Sequence, residues 1–452
     1  MSFFQKYKYY YKNNLKLAIP VMLSQAGQVT VQMADNIMVG QFGPTELAAA
    51  SFANSIFIIG FLLAMGISLG ITPLVGTAFG QRKFRDISSL FYHGLLVNIV
   101  CNLVLFMVMM FVSTYMNRMG QSEAVSNLAI PYFRIITYSF LPSAIFFTFK
   151  QFAEGLGNTK LAMIAILISN VVNIGLNYIL IYGKLGFPVM GLNGAGYATL
   201  ISRIFSVVFF VWIFLKKPNF KRYLKIIDFR QIHKNQILNV FTTGAPIGLQ
   251  MLAEVTLFSF SAIMVGWLGE ISLAAHQIAL SVSTVSFMVA TGIGSATTIR
   301  VSYQFGEGRF VDMKNAGMAS LHLVLVFMGF CSILVFFLRD YIPYIFVGKE
   351  NIETITQASQ LMIFCALYQI FDGSQVVLLG ALRGLTDVKR AFIIALIAYT
   401  LIGLPVAYIL GFVANFGAKG VWTGLSVALA IAAILLFIRF RKIANHIITA
   451  NK

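Results

Sequence analysis

The chain has 452 residues, of which 58% are hydrophobic and 11% charged, and its formal net charge is +18. Soluble domains carry about 25% charged residues, so this composition excludes an ordinary soluble globular protein. A mean hydropathy of +0.83 and recurring apolar runs, each long enough to cross a bilayer as a helix, indicate an integral membrane protein.

The apolar runs are continuous and lack the period-two alternation of a transmembrane barrel, so we expect an all-α fold. Twelve helices are predicted to cross the membrane, roughly at residues 15–40, 47–76, 90–114, 128–150, 160–182, 194–215, 237–266, 273–299, 317–338, 354–380, 391–412 and 419–438.

The basic residues lie mainly on one side of these spans. If the N-terminus is cytoplasmic, inside loops hold 25 Lys and Arg residues and outside loops hold 5. The positive-inside rule therefore predicts that both termini are cytoplasmic. It also explains the net charge without nucleic acid as a partner.

The first span resembles a signal peptide, because a Tyr- and Lys-rich start precedes an apolar run. Three glutamines and Asp35 make that run too polar for a signal peptide's apolar region. We expect a retained first helix, with the Tyr and Lys cluster at the membrane interface.

The second half of the chain repeats the first at an offset of 226 residues. The segment "IMVGQFGPTELAA" at 37–49 aligns with "IMVGWLGEISLAA" at 263–275, and Pro20 pairs with Pro246. Each copy holds six spans, so the two copies have the same orientation, as in parallel-repeat transporters whose substrate path lies between two lobes.

This repeat predicts three regions: an N-lobe at 1–215, a cytoplasmic linker at 216–236 and a C-lobe at 237–452. The linker is polar and basic. Two interpretations stay open for it, a topological anchor and a contact with anionic lipid headgroups.

Three carboxylates, Asp35, Glu254 and Asp372, lie inside long apolar stretches. An ionised side chain near the bilayer centre costs several kcal/mol. A chain tolerates this cost mainly where the group faces a protein interior or a watery cavity, as in proton relays, cation sites and substrate pathways.

In the first half, Asn170, Asn173 and Asn177 follow helical spacing, and Gln28 lies two turns before Asp35. A carboxylate with carboxamides provides oxygen ligands for a hard cation, or a hydrogen-bonded site in which a desolvated aspartate carries a proton. The alternative for each asparagine is a hydrogen bond that only tightens helix packing.

The second half carries its acids at other positions. The repeat places Glu254 opposite Gln28 at the offset of 226 and, where the offset has drifted to 229, Asp372 opposite Ser143. Tyr368 is one turn before Asp372, on the same helix face. Two carboxylates brought together would share a cation or a proton, because both cannot stay charged at close range without one.

Other chemistries have no support in the sequence. No G-x-x-x-x-G-K-[ST] motif is present, so we expect no ATP site and no cofactor. The three cysteines fit neither a zinc site nor a disulfide framework. No nucleophile–base arrangement stands out, which argues against an enzyme. Transport would therefore draw on an ion gradient.

Several motifs resemble the multidrug and toxic compound extrusion (MATE) transporters, and the NorM-type bacterial branch in particular. They are "MADNIMVG", its second copy "IMVGWLG", the "VNIGLN" stripe and "LYQIFDGSQVVLLGALRGLTD". The resemblance covers essentially the whole chain. It implies two six-helix lobes in a V-shaped arrangement, located in the bacterial plasma membrane and active as a monomer.

The resemblance also implies a function and its residues. Members export cationic, amphipathic drugs in exchange for Na⁺ or H⁺, the only coupling ions expected. An N-lobe ion site would comprise Asp35, Asn173 and Asn177, with Gln28 and Thr199 as neighbours. A C-lobe cation site would comprise Glu254, Tyr368 and Asp372. If Na⁺ is the coupling ion, it would bind at Glu254 and Asp372.

Two alternatives differ in class. A lipid-linked oligosaccharide flippase of the same superfamily would need several deep basic residues to hold a pyrophosphate, and only Arg134, Lys150 and Arg203 qualify. A channel or a non-transporting scaffold is disfavoured because a pore usually presents rings of equivalent charge, whereas these acids are placed asymmetrically.

Overall fold

The structure, a computed structural model, describes residues 3–226 and 232–451. Residues 227–231 of the predicted linker, with Arg230 of the charge count, and the terminal Lys452 lie outside the described residues. The described part is built from helices joined by short turns.

The described part of the first half, residues 3–226, contains nine α-helices and one short 3₁₀ turn, Met116–Arg118, between the fourth and fifth helices. The helices are α1 (Phe3–Phe42), α2 (Pro44–Leu69), α3 (Ile71–Gly80), α4 (Phe84–Ser113), α5 (Glu123–Tyr138), α6 (Phe140–Gly155), α7 (Thr159–Tyr182), α8 (Gly191–Lys216) and α9 (Pro218–Ile226).

The second half follows the same order of long helices, with a second 3₁₀ turn at Ile342–Ile345. Its helices are α10 (Lys234–Trp267), α11 (Glu270–Gly306), α12 (Phe310–Leu338), α13 (Ile352–Gly384), α14 (Val388–Leu396), α15 (Leu404–Tyr408) and α16 (Gly417–Ala450). One wider π-helical turn, Ile397–Gly403, joins α14 to α15, and a second, Ile409–Val413, follows α15.

Eleven helical segments in the described residues are long and apolar enough to cross a membrane. They begin at Pro44, where α2 and α3 count together, and end with α16. The 40-residue α1 is the twelfth long helix and is less apolar, because it carries Asp35 and several glutamines. The predicted spans fall within these twelve segments to within a residue, so the all-helical membrane fold is confirmed.

Packing divides the chain into two compact units. Over the described residues, the N unit is Leu23–Gly248, and the C unit combines Met1–Met22 with Leu249–Lys452. The two boundaries, inside α1 and inside α10, are one repeat offset of 226 residues apart. Pro20 and Pro246 lie two residues before them. The division at 1–215, 216–236 and 237–452 stays a prediction.

Two glycines at equivalent repeat positions allow the close helix packing that these units require. In the N unit, a Cβ on Gly66 of α2 would overlap the backbone of Gly248 on α10. In the C unit, a Cβ on Gly292 of α11 would overlap Met22 on α1. Gly248 and Met22 are themselves one repeat apart, so the repeat extends to the helix contacts.

The two cores differ in composition. A phenylalanine cluster with edge-to-face ring contacts fills much of the N unit, including Phe91, Phe149 and Phe214. The main C-unit core is rich in alanine, and its central helix α13 packs against α11, α12 and α16. Small residues let helix backbones approach closely. Side chains on the inner face of α13 are therefore tightly enclosed.

Candidate ion-binding sites

The first site lies in the N unit, where α1 meets α7. Asp35 is half-buried on α1, and one of its carboxylate oxygens accepts a hydrogen bond from the Asn177 amide on α7. Asn177 is fully buried, and its Nδ2 also lies 3.2 Å from Oδ1 of Asn173, one turn earlier. Asp35, Asn173 and Asn177 are thus brought together as one cluster.

The hydrogen-bond chain continues to α8. Asn173 Nδ2 donates to Ser202 Oγ at 3.4 Å, and Ser202 Oγ donates to the backbone carbonyl of Thr199 at 2.9 Å. Thr199 therefore contacts the cluster through its carbonyl group. Oδ1 of Asn177 is buried and accepts no hydrogen bond from any described residue. The site thus offers an unused carbonyl oxygen beside a carboxylate, and both are ligands that a hard cation prefers.

Two further predicted members lie at the margin of this cluster. Gln28 is exposed on α1, and no hydrogen bond among the described residues connects it to Asp35. Asn170 lies against Gly27 of α1, and its Nδ2 is buried without a hydrogen-bond partner in the described part of the chain. The structure therefore brings Asn170 to α1 but leaves Gln28 outside the hydrogen-bonded cluster.

Arg203 is a charged residue near Asp35. It is not among the residues predicted for the N-lobe site. Its guanidinium donates to Ser139 and lies over the ring of Phe61 at 4.8 Å. It is close enough to Asp35 to attract it electrostatically. Its position one residue after Ser202, deep in an apolar span, is the sequence signal that points to it.

The second site lies in the C unit, on α10 and α13. Asp372 is 1% exposed, whereas Glu254 is half-buried. Both acids accept from a single amide: Gln375 Nε2 lies 3.0 Å from Glu254 Oε1 and 3.5 Å from Asp372 Oδ1. The two carboxylates predicted to come together therefore do so, with the side chain of Gln375 between them.

Tyr368 lies one turn from Asp372 and is almost fully buried. Its ring packs edge-on against Trp422, with ring centroids 5.5 Å apart, and also against Phe258. Its hydroxyl lies near Ser283 of α11. Tyr368 thus forms part of the wall of the acid pair's site.

A second chain of polar groups leads from Glu254 to the guanidinium of Arg383. Gln250 Nε2 donates to Glu254 Oε2 at 2.9 Å, and the Arg383 guanidinium donates to Gln250 Oε1 at 2.6 Å. Arg383 belongs to the Lys and Arg residues predicted in inside loops. That placement is wrong, because α13 continues to Gly384 and Arg383 lies in its last turn, facing α10.

Sequence spacing contains a signal for both missed glutamines. Gln250 precedes Glu254 by one turn, and Gln375 follows Asp372 by three residues, so each shares a helix face with an acid.

The formal charges of the two sites do not cancel. Asp35 is balanced by Arg203 in the N unit, whereas Glu254 and Asp372 face only Arg383 in the C unit. The formal sum of these five groups is therefore one negative charge, in the C unit.

Comparison with known proteins supports this architecture. The MatE family profile matches the chain twice, at residues 20–179 and 246–409, and the two matches begin one repeat offset apart. Together the matches cover more than half of the chain.

Curated relatives span nearly the full length. The multidrug resistance protein NorM of Photobacterium profundum is 34% identical over 434 residues, which is 94% of each chain. The probable NorM of Mannheimia succiniciproducens is 32% identical over 452 residues, covering 99% of this chain and 97% of its own.

A crystal structure described as MATE in complex with MaL6 has the same fold. It matches with a TM-score of 0.88 over 97% of each chain, at 21% sequence identity. The chain thus belongs to the MATE family, and it is a multi-pass membrane transporter rather than an enzyme.

Proposed function

We propose that this chain is a multidrug efflux transporter that exports cationic amphipathic organic compounds in exchange for Na⁺ or H⁺. Alternating access of two lobes would expose its sites to each side of the membrane in turn. Relatives over the full length are named multidrug resistance proteins, and the buried acids supply sites for a coupling ion.

The observation that carries the proposal is the acid pair of the C unit. Glu254 and Asp372 share one neutral amide donor, and Asp372 is enclosed by α13 and its neighbours. Two carboxylates in a low-dielectric interior repel each other and lose hydration. A bound cation or a proton offsets both costs. The free energy of the pair therefore depends strongly on whether an ion is bound.

The residues then take distinct roles. Glu254 and Asp372 bind the coupling cation, Na⁺ or H⁺, and Tyr368 walls the site. In the N unit, Asp35 takes a proton or a cation. Asn173 and Asn177 hold its carboxylate, and Thr199 supports them through Ser202. Gln28, exposed on the same helix as Asp35, contributes to the approach of ions or substrate.

The flippase alternative is less well supported. A pyrophosphate would need free cationic groups, but Arg203 donates to Ser139 and Arg383 donates to Gln250. Each guanidinium also lies near a carboxylate. Lys150 is paired with Glu154 at 3.6 Å. Lys150, Arg203 and Arg383 are therefore each engaged by another side chain and give no support to an anionic substrate.

The relatives and the charge distribution support a cellular setting. The relatives are bacterial, which supports a location in the bacterial plasma membrane. The Lys and Arg excess supports a cytoplasmic position for both termini. The protein would act as a monomer in the lipid bilayer, without ATP or nucleic acid.

The test is accumulation of a cationic dye by energised cells. Cells that express the protein should accumulate less ethidium than cells with an empty vector, and an uncoupler or a Na⁺ ionophore should abolish the difference. Equal accumulation across a panel of cationic dyes, at verified membrane expression, would contradict drug export and favour the flippase.

A further inference from the structure

Gln375 occupies the position between the two acids. Its side chain is fully buried, and its Nε2 contacts Glu254 at 3.0 Å and Asp372 at 3.5 Å. The NH₂ group thus uses one oxygen of each carboxylate, and a cation shared by the two acids would need carboxylate oxygens as ligands. The amide and a cation therefore compete for the same carboxylates.

The orientation of this amide is set by its other end. Gln375 Oε1 accepts a hydrogen bond from the hydroxyl of Tyr399, which is itself fully buried. A tyrosine hydroxyl that donates to Oε1 leaves Nε2 facing the acids. If the amide turned over, its Oε1 would face the two carboxylates, which repel it, and the hydrogen bond that Tyr399 donates would be lost. Tyr399 thus stabilises the arrangement in which the amide meets both carboxylates.

We propose that Gln375 is a positioning residue that competes with the coupling cation for Glu254 and Asp372, and that Tyr399 holds it in the competing orientation. This inference rests on the proposed function, because it assigns a regulator to the same acid pair. It goes further in naming a neutral group that the cation must displace in each cycle.

The competition has a physical benefit for an antiporter. Without any partner, two close carboxylates would hold a cation too tightly to release it. A buried NH₂ group donates hydrogen bonds to both acceptors without carrying a formal charge. It therefore stabilises the cation-free site, although by less than a cation stabilises the occupied site. Release of the cation therefore becomes easier, and the turnover of the site is not blocked.

Cation occupancy also reaches a second helix by this route. Tyr399 lies in the π-helical turn Ile397–Gly403, between α14 and α15. π-helical turns often occur at functional sites. Displacement of the Gln375 amide would release the Tyr399 hydroxyl. Ion binding on α13 would thereby change a contact with the eleventh predicted span.

The experiment measures cation binding to purified full-length protein without any drug. Two probes are used: NaCl at constant pH and ionic strength, and protons in Na⁺-free buffer. The readouts are the intrinsic tryptophan fluorescence, since Trp422 packs on Tyr368, and the thermal unfolding midpoint. The cation concentration for half-maximal response is compared between variants.

Tyr399→Phe removes one hydroxyl and keeps the ring. Because the competing amide loses a bond worth about 1 kcal/mol, apparent cation affinity should rise about two- to tenfold. A merely structural role would leave the affinity unchanged or lower it. The matched control is Tyr408→Phe, whose ring is half exposed and stacks on Phe412; it should behave as wild type.

A second variant tests whether Tyr399 acts through Gln375. In a Gln375→Leu background, Tyr399→Phe should produce no further change in affinity, because the competing amide is already gone. Unchanged or weaker binding in Tyr399→Phe, or the same increase in the Gln375→Leu background, would overturn the inference.

The outcome for Glu254→Gln separates the two proposals. If this variant loses the cation response while Tyr399→Phe equals wild type, only the role of Gln375 is wrong. If the wild-type protein responds to neither probe, or Glu254→Gln responds as wild type does, then the acid pair is not the coupling site. In that case the assignment of Gln375 fails with it.

Discussion

The two units carry the same helical scaffold but solve the problem of a buried carboxylate differently. In the N unit a single half-buried acid, Asp35, receives a donor from a chain of asparagines. In the C unit two acids share the amide of Gln375, and one of them is fully enclosed. The repeat has therefore preserved the fold while the ionisable groups diverged.

Equivalent positions show how far the divergence extends. Ser261 stands where the N half has Asp35, and Tyr399 stands where the first half has Asn170 at the later offset of 229. Tyr399 contacts Gln375, whereas Asn170 lies against α1. The same helix in each half thus supports an ion site, but with a different side chain and a different partner helix.

The largest expected effect tests whether the two C-unit acids act as one unit. Glu254→Gln and Asp372→Asn should each reduce coupled efflux about 100-fold or more, because each removes one charged ligand of the coupling cation, a contact worth about 3 kcal/mol. The double variant should be little worse than either single one, measured as dye efflux at equal expression.

The matched control is Glu270→Gln, an exposed acid at the start of α11, which should keep wild-type efflux. Losses that add independently in the double variant would show two separate sites. That result would make the C unit resemble the N unit more closely than its geometry indicates.

The N-unit acid should matter somewhat less. Asp35→Asn keeps the shape but removes the charge and the charge-assisted bond from Asn177, so efflux should fall about 10- to 100-fold. Insertion and thermal stability should stay near wild type, as should efflux in the exposed control Asp86→Asn. Normal efflux in Asp35→Asn would make this residue a packing group.

A comparison of packing sharpens the difference between the units. Gly66→Ala places a methyl group against the backbone of Gly248, whereas Gly292→Ala first meets the flexible side chain of Met22. Overpacking costs about 1–3 kcal/mol, and the larger value belongs to the site that cannot relax. Gly66→Ala should lower the thermal unfolding midpoint more than Gly292→Ala does. The reverse order would contradict these contacts.

The smallest effects concern the neutral partners of Asp35. Asn177→Ala should weaken ion-coupled efflux by about fivefold, because it removes one hydrogen bond worth about 1 kcal/mol. Asn173→Ala should have a smaller effect, since its side chain reaches Asp35 only through Asn177. Gln28→Ala should change efflux least of all. A larger loss in Gln28→Ala than in Asn177→Ala would place the ion closer to Gln28.

Much of the fold was accessible from the sequence because its signals are local. Continuous apolar runs predict the helices, and a repeat offset of 226 residues, which drifts to 229 further along, predicts two parallel copies. The grouping of helices into units was less accessible. A repeat offset says which segments are alike, but not that α1 and α10 each divide between two compact units.

The sites were accessible where their members share one helix. Helical spacing relates Asn173 to Asn177, and Tyr368 to Asp372. Ser202 and Arg383 were missed because their roles depend on how neighbouring helices are rotated and tilted. Gln375 was missed for another reason: a neutral amide in an apolar helix draws attention only after both acids are known to lie beside it.

The most direct test of ion coupling at the C-unit acid pair uses reconstituted vesicles loaded with ethidium. An inward gradient of Na⁺ or of H⁺ is imposed in separate experiments, and ethidium release is recorded for wild type, Asp372→Asn and the exposed control Glu270→Gln. If the C-unit acid pair couples efflux to an ion gradient, one of the two gradients should drive release in wild type and Glu270→Gln but not in Asp372→Asn. Release that is equally fast without any ion gradient, or that is unchanged in Asp372→Asn, would contradict coupling at the C-unit acid pair.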